Sequence, residues 1–296
     1  MAVAWLRYNM TLSTFFLVAK IDSSLLFLNV IATLFGHGLI VLVTVRSKAL
    51  KSSCNVLIAI ESAITVVRQL EHIFTMYYFF TEQTTSSITC LYLNFFPLVV
   101  VDLSSLLMLF IAVDRLISAK FPFFYLHISG RKYIAGILLS CMAYTAVFKV
   151  LNFMSFEEKT IYCFIGQLMT GLKNRAWFPL HTSINVAVVV IYIVLTRVTK
   201  ASMTEYHKIN HSLNLIILVH FFGWIVPVAS TYGFAYISPS YLFFTVAQLT
   251  VAVVANITVC VPCFIFYFRS TVYQAEINRL LGLGTTQVGV RDISTF

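Results

Sequence analysis

The stretch CLYLNFFPLVVVDLSSLLMLFIAV, residues 90–113, carries a single charge, Asp102, in 24 positions. At about 1.5 Å rise per residue, roughly 20 mainly apolar residues cross the hydrocarbon core of a bilayer, so this stretch reads as a transmembrane helix. Six further runs of the same kind flank it, near 23–45, 55–79, 133–153, 177–198, 212–235 and 241–267, each ending in charged or turn residues. Hydrophobic residues make up 59% of the 296 and charged ones 10%, and the mean hydropathy is +0.89. No soluble domain keeps such a balance in water. The strands of a membrane barrel alternate in polarity over about 10 residues, and that alternation is absent here. The expectation is an all-α chain: a seven-transmembrane-helix bundle over 23–267, with an outer tail at 1–22 and a cytoplasmic tail at 268–296.

Lysine and arginine set the orientation. The loops after the first, third and fifth runs hold Arg46, Lys48, Lys51, Arg115, Lys120, Arg131, Lys132, Arg197, Lys200 and Lys208, whereas the opposite face holds only Arg7, Lys20, Lys159, Lys173 and Arg175. The positive-inside rule places the N-terminus outside and the C-terminus in the cytoplasm. Met1 to Ile21 lacks a basic region, a long apolar segment and a small-residue cleavage site in that order, so it is read as a short tail and not a signal peptide. Asn9-Met10-Thr11 is a glycosylation sequon on that tail. Asn210-His211-Ser212 falls on an inner loop and Asn256-Ile257-Thr258 in a span, so both are expected to stay unmodified. The formal charge of +9 sits on loops at one membrane face, where it suits anionic lipid head groups and not nucleic acid.

Of six cysteines, Cys90 opens the third run on the outer side and Cys163 lies in the longest outer loop, so both face an oxidising compartment. A bridge between them would pin that loop over the bundle mouth and contribute roughly 4 kcal/mol in the chain-entropy picture. Cys54, Cys141, Cys260 and Cys263 lie in or beside spans, where cysteine packs as a small apolar residue, and their spacing supports no metal site. Beyond Tyr267-Phe268-Arg269, the segment Ser270 to Leu281 puts Val272, Tyr273, Ile277, Leu280 and Leu281 near one helical face. It reads as a short amphipathic helix on the inner membrane surface, ended by Gly282 and Gly284, with a disordered last dozen residues.

Polar residues inside spans are costly in lipid and face the bundle interior. At the inner end of the third run stands Asp114-Arg115-Leu116, followed by Lys120, Phe121 and Pro122. A pair of interfacial charges ending a helix is the plain reading. The proline eight residues after the aspartate adds another: the pattern resembles the rhodopsin-like G-protein-coupled receptors, whose third span ends in Asp-Arg-Tyr with a proline at that distance. More narrowly, three segments look like nematode serpentine chemoreceptors, with class SX (srsx) the nearest. They are Ile111-Ala112-Val113-Asp114-Arg115-Leu116 with Lys120-Phe121-Pro122, Cys54-Asn55-Val56-Leu57-Ile58-Ala59, and Phe266-Tyr267-Phe268-Arg269-Ser270. The resemblance runs from about Leu34 to Tyr273.

That resemblance implies a chemosensory receptor of the plasma membrane, at its most specific in a sensory cilium. It would bind a small extracellular molecule or peptide and activate a heterotrimeric G protein. Arg115, held at rest by Asp114 or by polar groups on the inner end of the sixth span, would be freed as that span swings outward. The C-terminal helix of a Gα subunit would then enter the opened cavity and meet Arg115, Lys120, Arg131 and Lys200. Pro227 removes a backbone hydrogen bond and supplies the hinge, although a proline kink without switching explains the residue equally well. The chain departs from the pattern in several places. Gly36-His37 stands for Gly-Asn, Thr65 for the second-span aspartate, and the fourth span has no tryptophan. Trp224 and Pro227 are one residue further apart than usual, and the seventh-span motif is degenerate from Pro262 to Tyr267. With the aspartate and asparagine gone, no internal sodium site is expected, and no enzymatic cofactor is implied.

For the ligand site, Arg68, Glu71 and His72 lie within about one turn of the second span, and Arg68 and Glu71 at i, i+3 are expected to pair. Asp102, twelve residues and about 18 Å before Asp114, sits near mid-membrane and is expected to anchor a polar contact. Pro97 occupies the position where amine-receptor relatives place their aspartate. His181, Asn185, Trp224 and Tyr232 are candidates to line the cavity, with core packing as the alternative for each, and the 15% aromatic content suits a largely apolar ligand. Residues 241–267 contain no lysine for a retinal Schiff base. His37, His72, His181 and His220 are scattered, which argues against catalysis. A small-solute transporter is the alternative function, although internal repeats and paired broken helices are missing.

Overall fold

The computed structural model describes residues 10–128, 130–154, 156–170, 177–199, 215, 218–219, 221–230, 233–234 and 240–283. Within these, six helices are long and apolar enough to cross a bilayer, and a seventh, shorter one, α10 (Phe221–Ser230), lies inside the expected sixth span. Leu28, Phe35 and Val45 on the first helix and Leu139 and Val147 on the fourth spanning one are each more than half exposed. In water such a surface would aggregate; in lipid it is the solvated face.

Helix α1 (Leu12–Arg46) begins eleven residues before the expected start, with the Thr11 side chain capping Thr14 N–H. Its 35 residues span about 52 Å, well beyond a hydrocarbon core of roughly 30 Å. Lys20 and Asp22 interrupt the apolar run without interrupting the helix. Lys20 Nζ lies 2.7 Å from Glu82 Oε1, and Asp22 accepts from Thr250 Oγ1 at 2.6 Å.

The second span is broken. Helix α2 (Ser53–Arg68) and α3 (Glu71–Phe80) are separated by Gln69 and Leu70. There Leu70 N–H bonds Val67 O and His72 N–H bonds Gln69 O, each at 3.2 Å in the tighter i→i+3 pattern. No proline or glycine marks the break. A short strand β1 (Thr85–Ser86) leads into α4 (Ser87–Leu93), and Asn94 separates α4 from α5 (Phe95–Lys120). Here the cause is Pro97, whose ring excludes the carbonyl four residues back, that of Leu93.

Beyond α5, α6 (Pro122–His127) carries proline in its first turn, and α7 (Gly130–Met154) forms the fourth span. The connection to the fifth span holds β2 (Thr160–Ile161) and α8 (Ile165–Thr170). Strand β2 pairs antiparallel with β1, Thr85 opposite Ile161 and Ser86 opposite Thr160. The Cys90–Cys163 disulfide closes beside it, as the positions of the two cysteines lead one to expect. Helices α9 (Trp177–Thr199) and α11 (Tyr241–Arg269) are the fifth and seventh spans.

Helix α5 stands centrally against α2, α7 and α9, while α1 packs along α2, α3 and α11. Gly36 lets α1 approach α11, since a Cβ there would collide with the Cys263 side chain. That approach brings His37 Nε2 within 3.0 Å of the Val259 carbonyl. Helix α12 (Thr271–Leu280), capped by Ser270, follows α11. The expected single apolar face divides: Tyr273, Ile277 and Leu280 join the core cluster around Leu57, Ile111 and Phe266, while Val272 and Leu281 are exposed.

Candidate functional site

One end of the bundle carries the disulfide, the other Asp114 and the basic loops. At the disulfide end, a cavity of about 200 Å³ opens between α2, α3, α10 and α11. One side is polar, with Arg68, Glu71, His72, Gln248 and Asn256, and the other is apolar, with Val101, Phe164, Trp177, Trp224 and Pro227. The break at Gln69–Leu70 shapes the polar side. Gln69 Nε2 and His72 Nε2 both donate to Asn256 Oδ1 at 3.1 Å, and Asn256 Nδ2 donates to Ala252 O at 2.9 Å. These bonds tie the broken span to α11 and commit the His72 Nε2 proton. Gln167 Nε2 donates to Thr245 Oγ1 at 3.0 Å and Gln248 Oε1 at 3.2 Å, fastening α8 to α11 beside the cavity.

The expected Arg68–Glu71 pair does not form. Glu71 Oε1 lies 3.5 Å from His72 Nε2, Glu71 Oε2 is buried with no hydrogen-bond partner, and no ion pair includes Arg68 among the described residues. The two groups attract each other without closing to ion-pair distance. Arg68 also borders a second chamber of about 70 Å³, lined by His37, Glu61, Thr65, Tyr192 and Pro262. There the Glu61 carboxylate accepts from Ser104 Oγ.

Asp102 is completely buried and joins three spans. Its carboxylate accepts from Trp177 Nε1 at 2.9 Å and His181 Nε2 at 3.0 Å, and Lys149 Nζ lies 2.7 Å from Oδ2. His181 packs 4.3 Å from the Trp177 ring and 5.7 Å from Trp224, so the network stands directly behind the cavity's aromatic wall. Asn185 turns to its own helix, donating to His181 O at 2.8 Å.

At the opposite end, Asp114 Oδ1 accepts from Tyr125 OH at 3.0 Å, tying α6 to α5. Burial, and then the charge of Asp114, raise the Tyr125 phenol above its usual value, so it stays a donor. Arg115 makes no ion pair with Asp114 among the described residues, and its Nε is buried without a hydrogen bond. Of the two expected holds on Arg115, the first takes the form of attraction between Asp114 and Arg115 without a close ion pair. The second, on the inner end of the sixth span, lies outside the described residues.

The profile of the serpentine type 7TM GPCR chemoreceptor Srsx family matches residues 30–281. The chain belongs to the Srsx family. No curated protein matches it. As an Srsx chemoreceptor it is a multi-pass membrane protein of a receptor family and not of an enzyme family.

In this Srsx chain the remaining expected site residues are distributed between the two ends. Trp224 and Pro227 line the cavity. Pro122 starts α6, and Tyr267 OH donates to Asn278 Oδ1 at 3.0 Å, facing α12. Tyr232 and Asn9 lie outside the described residues. Sequence reasoning missed Glu61 and Lys149. Glu61 shares the second run with Arg68 and Glu71, whereas Lys149 is the lone charge of the fourth run and the evident counter-charge for Asp102 on the third.

Proposed function

We propose that this Srsx chain is a plasma-membrane chemosensory receptor whose ligand occupies the cavity of about 200 Å³. Ligand occupancy is read out by a heterotrimeric G protein at the Asp114–Arg115 end. The observation that carries the reading is that Trp224 and Pro227, on the proline-containing sixth span, form part of the cavity wall. A ligand there touches a wall element that proline has already deprived of a helical hydrogen bond. It thereby biases the helix whose outward swing would open a groove for the Gα C-terminal helix. The cavity is below the roughly 300–1,000 Å³ of drug-sized sites, which favours a small molecule over a peptide. With the N-terminus outside, the cavity faces the extracellular medium and the basic loops face the G protein and anionic lipid.

Arg115 is the contact residue on the cytoplasmic side. In cells shown to display the chain at the surface, Gα dissociation driven by a small-molecule panel is expected to disappear in Arg115→Ala while surface level stays the same. Signal surviving that change, or solute uptake needing no Gα, would overturn the reading in favour of transport.

A further inference from the structure

We infer that the cavity takes a net-neutral zwitterion of the α-amino-acid type: its carboxylate on Arg68, its ammonium on Glu71, its apolar or aromatic body against Phe164, Trp177 and Trp224. This rests on reading the cavity as the ligand site. Two groups of opposite charge line that cavity, and although Arg68 attracts Glu71 and Glu61, it closes an ion pair with neither. Glu71 Oε2 is buried with no hydrogen-bond partner, and no ion pair includes Arg68 among the described residues.

Neighbouring polar groups are committed elsewhere. The His72 Nε2 proton and the Gln69 amide are spent on Asn256. Glu61 lines only the second chamber, where Ser104 holds it. A buried charge is stabilised only by a partner of opposite sign with good hydrogen-bond geometry. A purely cationic ligand would satisfy Glu71 and leave the Arg68 guanidinium open to the cavity, and a purely anionic one would do the reverse. A molecule carrying both charges pairs both groups at once and adds no net charge to the membrane interior. The guanidinium fork matches a carboxylate in bidentate fashion, and the opposite wall offers tryptophan and phenylalanine faces for the remaining body.

The test uses the full-length receptor in detergent, with thermal shift for binding and Gα dissociation as a separate readout. The probes are L-phenylalanine and L-tryptophan, their methyl esters, which keep only the cation, and 3-phenylpropionate and indole-3-propionate, which keep only the anion. The amino acids are expected to raise Tm in a concentration-dependent way while the single-charge analogues do not. Arg68→Gln and Glu71→Gln are each expected to weaken the amino-acid response about tenfold or more. Because either substitution can also disturb folding, the analogue series on the unmodified receptor decides independently. Equal binding of the esters or the propionates, or no Tm shift from either amino acid, overturns the inference. Amino-acid binding without Gα release leaves it standing and removes the proposed signalling function instead.

Discussion

The two ends of this bundle are fastened by different means. At the disulfide end, a covalent bridge, a strand pair and an aromatic cluster of Phe15, Phe16, Phe79, Tyr162 and Phe164 surround a cavity, and behind its wall three spans converge on Asp102. At the Asp114 end, Tyr125 donating to Asp114 tethers α6, while α12 is held by Tyr267 to Asn278 and by Tyr273, Ile277 and Leu280 in the core. Helix α6 leaves Phe123 81% and Leu126 77% exposed. On the proposed function, the half that recognises a molecule is fixed in shape, and at the other half α6 is held by a bond of modest strength. Four substitutions would break or sharpen that contrast.

The largest effect is expected from Lys149→Met, which leaves Asp102 buried without its cation. Removing one partner of a buried pair costs about 3–5 kcal/mol, so surface display should collapse, and Asp102→Leu added to it should recover part of the loss in thermal denaturation. A single mutant as stable as the parent would show that the pair does not hold the spans together.

Next comes replacement of Cys90 and Cys163 by serine, expected to destabilise by about 2–4 kcal/mol. The loss should appear as a lower Tm and earlier protease cleavage of the segment around β2.

At the other end, Tyr125→Phe removes a hydrogen bond to a charged group, worth about 1.5–3 kcal/mol. Basal Gα release should rise severalfold while ligand affinity holds. Should Tyr125→Phe instead lower Tm more than loss of the disulfide, the proposed division of labour is wrong.

The smallest effect belongs to Asn278→Ala. It deletes one neutral hydrogen bond, worth about 1 kcal/mol, and should speed amide hydrogen exchange in α12 while leaving the spans unchanged.

The sequence reveals what depends on composition along the chain and hides what depends on partners across it. Apolar runs mark the spans because each must be about 20 residues long in lipid, and the positions of Cys90 and Cys163 on one face foretell their bridge. The start of α1 is hidden because Lys20 and Asp22 look like the end of an apolar run until Glu82 and Thr250 are seen beside them. The break at Gln69–Leu70 has no proline or glycine to announce it; its Gln69 amide is drawn to Asn256, 187 positions away. The Arg68–Glu71 spacing is legible only in part, since the two attract each other yet stop short of an ion pair. Asp102 was legible as a buried anchor. Its partner Lys149 required matching a lone cation in one run to a lone anion in another.

The long α1 has an energetic consequence. Because its first turns are helical and packed on Phe79 and Tyr162, the structure beside the cavity proposed for the ligand is assembled before any ligand arrives. Little chain has to be ordered on association, so the entropic penalty of recognition is largely settled during folding. A molecule of few atoms, with little contact area of its own, can then hold its place.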